Sequence, residues 1–176
     1  ARPLARLPFV EQGPGVYRRL EGRAVSPEFR TLLPEPLRWP AAVALRLRRT
    51  VQERTGLQVT VGLGTNRVVA KAATDYAKPA GVCVVAPGAE ERFVGTLDLG
   101  DIPGVGRATL KKLRSWNVNN VEQARRLPVD LLRDAFGPVA GRNLYRLFRG
   151  VSSGKVQPQA QQKPKSMSRE TTFWTA

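Results

Sequence analysis

The stretch Leu99-Gly-Asp-Ile-Pro-Gly-Val-Gly-Arg-Ala-Thr-Leu-Lys-Lys-Leu113 limits what this chain can fold into more than any other. Pro103-Gly104 demands a tight turn, and Ile102 and Val105 are apolar anchors on either side of it. Leu110 and Leu113 continue the apolar stripe into a following helix. The pattern predicts a helix-hairpin-helix. Gly104 and Gly106 leave no Cβ between the backbone and a ligand. Free N–H groups at the start of the next helix can then donate to a phosphate oxygen. Arg107, Lys111 and Lys112 place positive charge directly behind. Contacts of this kind carry no base-sequence information. A weaker copy follows in Phe136-Gly-Pro-Val-Ala-Gly-Arg-Asn-Leu144, where Gly137 and Gly141 open a helix bearing Arg142, Arg146 and Arg149. Together the two predict a compact helical unit that grips a nucleic-acid backbone.

The charge balance agrees. The 176 residues hold 29 Lys+Arg against 14 Asp+Glu, a formal net charge of +15. An excess of that size points to a polyanionic partner, nucleic acid before membrane. It is spread as +6 over residues 1–56, +1 over 57–96, +5 over 97–150 and +3 over 151–176, as a surface following a phosphate backbone requires. With no His there is no Ser-His-Asp or Cys-His catalysis. A single cysteine, Cys83, excludes an internal disulfide and a multi-Cys zinc site. No apolar run is long enough to cross a membrane, and no signal peptide is recognisable. The chain starts at Ala1 and its one Met is Met167, which reads as a processed or trimmed piece of a longer protein.

Upstream of the hairpin the pattern alternates. Residues 1–40 hold seven of the fourteen prolines, so only a short strand near Val16–Leu20 is expected there. Pro40 is expected to precede a helix over Ala41–Thr55, stopped by Gly56, with Val43, Leu47 and Val51 as its buried stripe. Arg46 and an Arg49–Glu53 pair fall on its wet face. Leu57–Leu63 reads as a strand, Arg67–Ala77 as a helix capped by Thr65 or Asn66, and Val82–Ala86 as a second strand. From Gly95 to Gly150 the periodicity is helical: about Gly106–Trp116, Val121–Arg126, Val129–Phe136 and Val139–Arg149. Ser152–Lys165 is Gln- and Pro-bearing without aromatics and reads as a linker. Ser166–Trp174 is strand-like.

No catalytic metal site emerges. Two-metal chemistry needs clustered carboxylates, yet Glu11, Glu21, Glu28, Glu35 and Glu53 are well separated. Glu90-Glu91 reads as a solvated turn. Asp98 and Asp101 flank the hairpin as helix caps. Gly62-Leu-Gly-Thr-Asn-Arg67 lacks the third glycine of a dinucleotide fingerprint and reads as a strand–turn–helix joint.

Thr55–Arg67, Ala70-Lys-Ala-Ala-Thr-Asp-Tyr-Ala-Lys-Pro-Ala-Gly81, Leu97–Leu113 and Pro164-Lys-Ser-Met-Ser-Arg169, in that order and spacing, resemble the Y-family translesion DNA polymerases, the DinB/UmuC group. The resemblance implies an α+β fold. Residues 1–94 would form a partial palm, an α/β layer with a mixed sheet. Residues 95–151 would form an all-helical thumb with the helix-hairpin-helix. Residues 152–176 would be a linker and the first strand of a little finger. It also implies that Lys78 lies near a nucleotide triphosphate; on its own terms Lys78 is a cation at a helix C-terminus. The family's Asp-Glu pair has no counterpart, since Gly13-Pro14-Gly15 stands at that place, and its first palm strand and fingers have none either. No catalytic residue, metal or cofactor is therefore carried over.

The ImuB-like branch, with degenerate catalytic residues, is the nearest analogue. The implied function is a non-catalytic DNA-binding protein in damage tolerance. DNA (a primer–template or damaged duplex) would be its partner, with other repair or replication proteins beside it and no membrane. The implied location is cytoplasmic, at a bacterial nucleoid. Gly104, Val105, Gly106, Arg107, Lys111, Lys112, Gly137, Gly141, Arg142, Lys165 and Arg169 are the expected DNA contacts. Two other readings stay open: a fragment of an active polymerase whose carboxylates lie outside this chain, and a repair-complex scaffold.

Overall fold

A computed structural model describes residues 10–20 and 35–152. The expected linker and strand at 153–174, with Lys165 and Arg169, lie outside the described residues. A Pro-Gly turn lies in the first described segment. β1 (Val10–Gly13) and β2 (Val16–Leu20) form an antiparallel hairpin around Pro14-Gly15, and Gly15 takes φ +79°. Proline before a positive-φ glycine is the chemistry of a type II turn. β1 was not expected from the sequence.

β4 (Gly81–Val85) pairs antiparallel with β2, Val16 opposite Val85 and Leu20 opposite Gly81. β3 (Val61–Leu63) pairs parallel with β4, giving the order β1-β2-β4-β3 in one mixed sheet. The expected strand from Leu57 is thus shortened to its last three residues. β4 is apolar throughout because both of its faces are covered. Val82 and Val84 point to one face, where they meet Tyr17 and the helix α1 (Glu35–Thr55) through Ala41, Ala44 and Leu45. Cys83 and Val85 point to the other, against Val69, Ala72 and Ala73 of α2 (Arg67–Tyr76).

α1 corrects two expectations. It begins at Glu35, so Pro40 lies inside it rather than before it. Its buried stripe is Ala41, Ala44, Leu45 and Arg48, while Val43 and Leu47 are 46% and 55% exposed and Trp39 is 75% exposed. Ala41 and Ala44 let the helix sit close to the sheet, while Val43 and Leu47 face outward. Arg48 is 4% exposed. It donates from Nε to Val59 O (2.7 Å) and from Nη2 to Ala80 O (2.5 Å), so its charge is met by carbonyls, as burial requires.

Asn66 caps α2 as expected, its Oδ1 accepting from Val68 and Val69 N–H at 3.1 Å. Glu90-Glu91 is not a turn but the start of a short helix, α3 (Glu90–Gly95), whose Phe93 and Val94 are buried. A 3₁₀ turn (Leu99–Asp101) follows, then α4 (Arg107–Ser115), α5 (Val121–Arg125), α6 (Val129–Phe136) and α7 (Pro138–Leu147). Neither Asp98 nor Asp101 caps a helix with its side chain; the N-cap of α4 is Gly106. One apolar cluster runs from Val16, Cys83 and Val85 through Phe93, Leu99 and Ile102 to Leu113, Leu132 and Phe148. Sheet and helices therefore share a continuous core across residue 95. Polar ties add to it: Asn66 Nδ2 donates to Gly150 O at 2.8 Å, and Arg125 Nε to Phe148 O at 2.7 Å.

Candidate nucleic-acid interface

The turn before α4 is closed by Val105 N–H donating to Ile102 O at 3.0 Å. Pro103 occupies its second position and Gly104, with φ +102°, its third. A side chain on Gly104 would also meet Leu147 Cδ1 at 2.9 Å, so the fold itself requires glycine there. Gly106 differs. Its φ of −80° suits any residue, and nothing lies within 4 Å of where a Cβ would stand. Nothing in the fold demands glycine at 106, which leaves open space above the helix start.

The first intrahelical bond of α4 is Leu110 N–H to Gly106 O (2.9 Å). The N–H groups of Arg107, Ala108 and Thr109 thus have no partner within the helix. Arg107, Lys111 and Arg114 recur at i, i+4 and i+7 on one exposed stripe. None makes an ion pair or side-chain hydrogen bond among the described residues. Arg114 was not singled out in the sequence, although the same spacing marks it. Ile102, Val105 and Leu113 are buried beneath and fix the turn to the core.

Lys112 points elsewhere. Its Nζ donates to Ala135 O at 2.6 Å and lies over the rings of Phe136 (5.1 Å) and Trp116 (5.8 Å). There it satisfies a carbonyl at the C-terminal end of α6.

The second glycine-opened helix is α7. Gly137, at φ +87°, joins α6 to α7, and Pro138 takes the first helical position. Arg142 and Arg146 are exposed and likewise free of ion pairs among the described residues. Gly141 is buried, and a Cβ there would run into the backbone of Leu132 and Arg133. Its absent side chain lets α6 and α7 approach; it faces the neighbouring helix rather than a ligand. Arg149 is also engaged, stacked 3.7 Å over Tyr145 and donating to Arg125 O at 2.7 Å.

Lys78 follows the C-terminal end of α2. Its Nζ lies 2.8 Å from Asp75 Oδ1, and Lys71 Nζ contacts Asp75 Oδ2. The two ammonium groups, Lys71 first and then Lys78, hold the Asp75 carboxyl below the usual carboxylate range. Arg18 Nη2 donates to Lys78 O at 3.3 Å, and its guanidinium lies 4.8 Å from the Tyr76 ring centroid.

The Gly13-Pro14-Gly15 turn is tied into the fold through its carbonyls. Ala86 N–H donates to Gly15 O (2.8 Å) and Arg92 Nη1 to Pro14 O (2.9 Å). A Cβ on Gly15 would stand 2.7 Å from Ala89 Cβ. These three residues offer no side-chain ligand, so they do not fit a metal pair. Among the described residues no group of three His, Cys, Asp or Glu is placed to hold a metal ion. No described helix is long and apolar enough to cross a membrane.

Two family models match the sequence. Residues 14–75 match the impB/mucB/samB family, and residues 100–152 match the thumb domain of DNA polymerase iota. DNA polymerase IV of Methanoculleus marisnigri is 38% identical over 137 residues, covering 77% of this chain and 37% of that protein. DNA polymerase IV of Alkalilimnicola ehrlichii is 38% identical over 131 residues, covering 74% and 36%. The chain thus spans little more than a third of these relatives. Among solved structures, DinB from Sulfolobus solfataricus aligns with TM-score 0.59 at 25% identity, covering 65% of this chain and 34% of the other. An insertion ternary complex of Dbh DNA polymerase aligns with TM-score 0.59 at 25% identity, covering 65% and 33%.

Proposed function

The chain belongs to the Y-family translesion DNA polymerases, and we propose that it serves DNA damage tolerance as a non-catalytic unit gripping the DNA backbone. The observation that carries this reading is the start of α4. Unpaired backbone N–H groups, an open Gly106 and the free stripe Arg107, Lys111 and Arg114 converge on one exposed surface. A phosphate oxygen is the ligand such a surface suits, by hydrogen bonding at the helix start and by charge along the stripe. Arg142 and Arg146 on α7 extend the cationic track. Gly104, Val105, Gly137 and Gly141 hold the hairpins in shape rather than touch DNA, and Lys112 braces α6. A location at the nucleoid and repair or replication proteins as neighbours follow from the same role.

The non-catalytic part rests on Gly13-Pro14-Gly15. Phosphoryl transfer needs developing charge met by positioned metal ions, and this turn supplies no carboxylate. Lys78 is then left as a cation paired with Asp75. Primer extension on a primer–template with Mg²⁺ or Mn²⁺ tests it. No template-dependent elongation is expected. Elongation that copurifies with the chain through successive columns, and is lost on Arg107→Ala/Lys111→Ala substitution, would overturn it. The 38% identity to DNA polymerase IV proteins favours one second reading, a portion of an active polymerase. That reading predicts elongation once a segment bearing an acidic pair is supplied.

A further inference from the structure

A cleft of about 320 Å³ separates α2 from the hairpin loop. One wall carries Lys71 and Asp75; the other is Gly100–Val105, which includes Asp101 and Gly104. At about 30 Å³ per water it holds about ten waters, enough for a phosphodiester with part of its hydration. Among the described residues Lys71 is the single cation lining it, and Lys78 holds the other oxygen of Asp75. Asp75 sits between them at i+4 from Lys71 and i−3 from Lys78, with its side chain 35% exposed. The wall Gly100–Val105 ends one residue before Gly106, so Lys71 is a cation on the cleft beside the proposed phosphate contact.

We infer that Asp75 is a built-in restraint on DNA affinity: its carboxylate occupies Lys71 and Lys78, and a phosphate entering the cleft must compete with it. The inference deepens the DNA-binding reading above and rests on it. The carboxylate stays ionised at neutral pH because both ammonium groups favour the charged form. Asp101 on the opposite wall adds repulsion without holding a lysine, so Asp75 is the group whose removal frees cations. An exposed pair of this kind is weak enough for a polyanion to displace. The same weakness means that the helix survives its loss. Arg49–Glu53 on α1 is a matched control: an exposed i,i+4 pair, 2.7 Å long, on the far side of the sheet from α2.

The test is fluorescence anisotropy of a labelled duplex titrated with the full chain, over a range of salt. Asp75→Asn is expected to tighten binding about two- to fivefold, the size of an exposed ion pair. The salt slope should steepen by about one to two, one for each lysine released. Lys71→Ala should weaken binding more in the Asp75→Asn background than in the parent chain, because only there is Lys71 free. Glu53→Gln removes the same charge and should change little. If Glu53→Gln tightens binding as much as Asp75→Asn, or if Lys71→Ala costs the same in both backgrounds, the restraint is overturned. Gly106→Ser, measured alongside, separates the two layers. Should it leave affinity unchanged, the hairpin reading fails as well. Should it weaken binding while Asp75→Asn does nothing, the restraint alone fails.

Discussion

Two of the three Pro-Gly turns among the described residues share their local chemistry and end in opposite situations. Pro14-Gly15 closes the β1–β2 hairpin and Pro103-Gly104 closes the turn before α4, each with its glycine at positive φ, +79° and +102°. At the first, Gly15 O and Pro14 O accept hydrogen bonds from Ala86 and Arg92, and Ala89 packs where a Cβ would stand. At the second, the turn is equally constrained, but two residues later Gly106 faces open space and the N–H groups beyond it have no helical partner. A tight turn is therefore not the functional signal. What distinguishes the second is the polar surface left unpaired beside it, together with a cationic stripe that makes no ion pair among the described residues.

The largest loss is expected where glycine serves packing. Gly141→Ala would push a methyl into the backbone of Leu132 and Arg133. It should destabilise the chain by about 3 kcal/mol or more, the upper range for overpacking. Urea denaturation would read this as a lower midpoint with an unchanged slope. Gly104→Ala forces a side chain into a positive-φ turn and against Leu147. It should cost about 1–3 kcal/mol, with DNA affinity falling only as far as the folded fraction falls. Arg107→Ala/Lys111→Ala makes the opposite pattern: unchanged stability, weaker binding to every DNA sequence, and a salt slope reduced by about two.

The smallest effect concerns Cys83. Burial in the sheet pushes its thiol up to about 12, above its value in an unfolded chain. Its contribution to stability is complete below the unfolded value near 9 and is lost as pH rises from there toward 12. Cys83→Ala should therefore lower stability at neutral pH by leaving a small cavity. It should also flatten the alkaline fall between those two values, visible as converging melting curves.

The same contrast explains what the sequence made legible. Local signals read well. Asn66 announces the α2 cap, Gly56 the end of α1, and Pro103-Gly104 the tight turn before α4, because each acts through its own backbone. Arg49–Glu53 forms as its spacing predicts. Signals that depend on a distant surface read poorly. Val43, Leu47 and Val51 have helical spacing, yet the sheet takes the alanine face of α1, since close approach favours small residues there. Glu90-Glu91 looks solvated, but Phe93 and Val94 behind it are drawn into the core and pull the segment into a helix. Lys112 and Gly141 resemble ligand contacts in the linear motif. Only the packing of α6 shows that Lys112 serves Ala135 O and Gly141 serves Leu132. Asp75 was invisible as part of a site because the loop that forms the other wall of its cleft lies some 25 positions away in the chain.

If the proposal holds, the start of α4 is bare to receive a phosphate. Gly106→Ser tests it most directly, by anisotropy on a labelled primer–template with thermal stability measured in parallel. Serine is a better N-cap than glycine in helix-start preference, so stability should hold or rise by a few tenths of a kcal/mol. The new side chain would nonetheless fill the open space and bond an N–H meant for phosphate. Binding should weaken roughly tenfold, the loss of about one charge-assisted hydrogen bond. Unchanged affinity in a chain of unchanged stability would contradict it, and would leave the hairpin as a turn that only shapes the core.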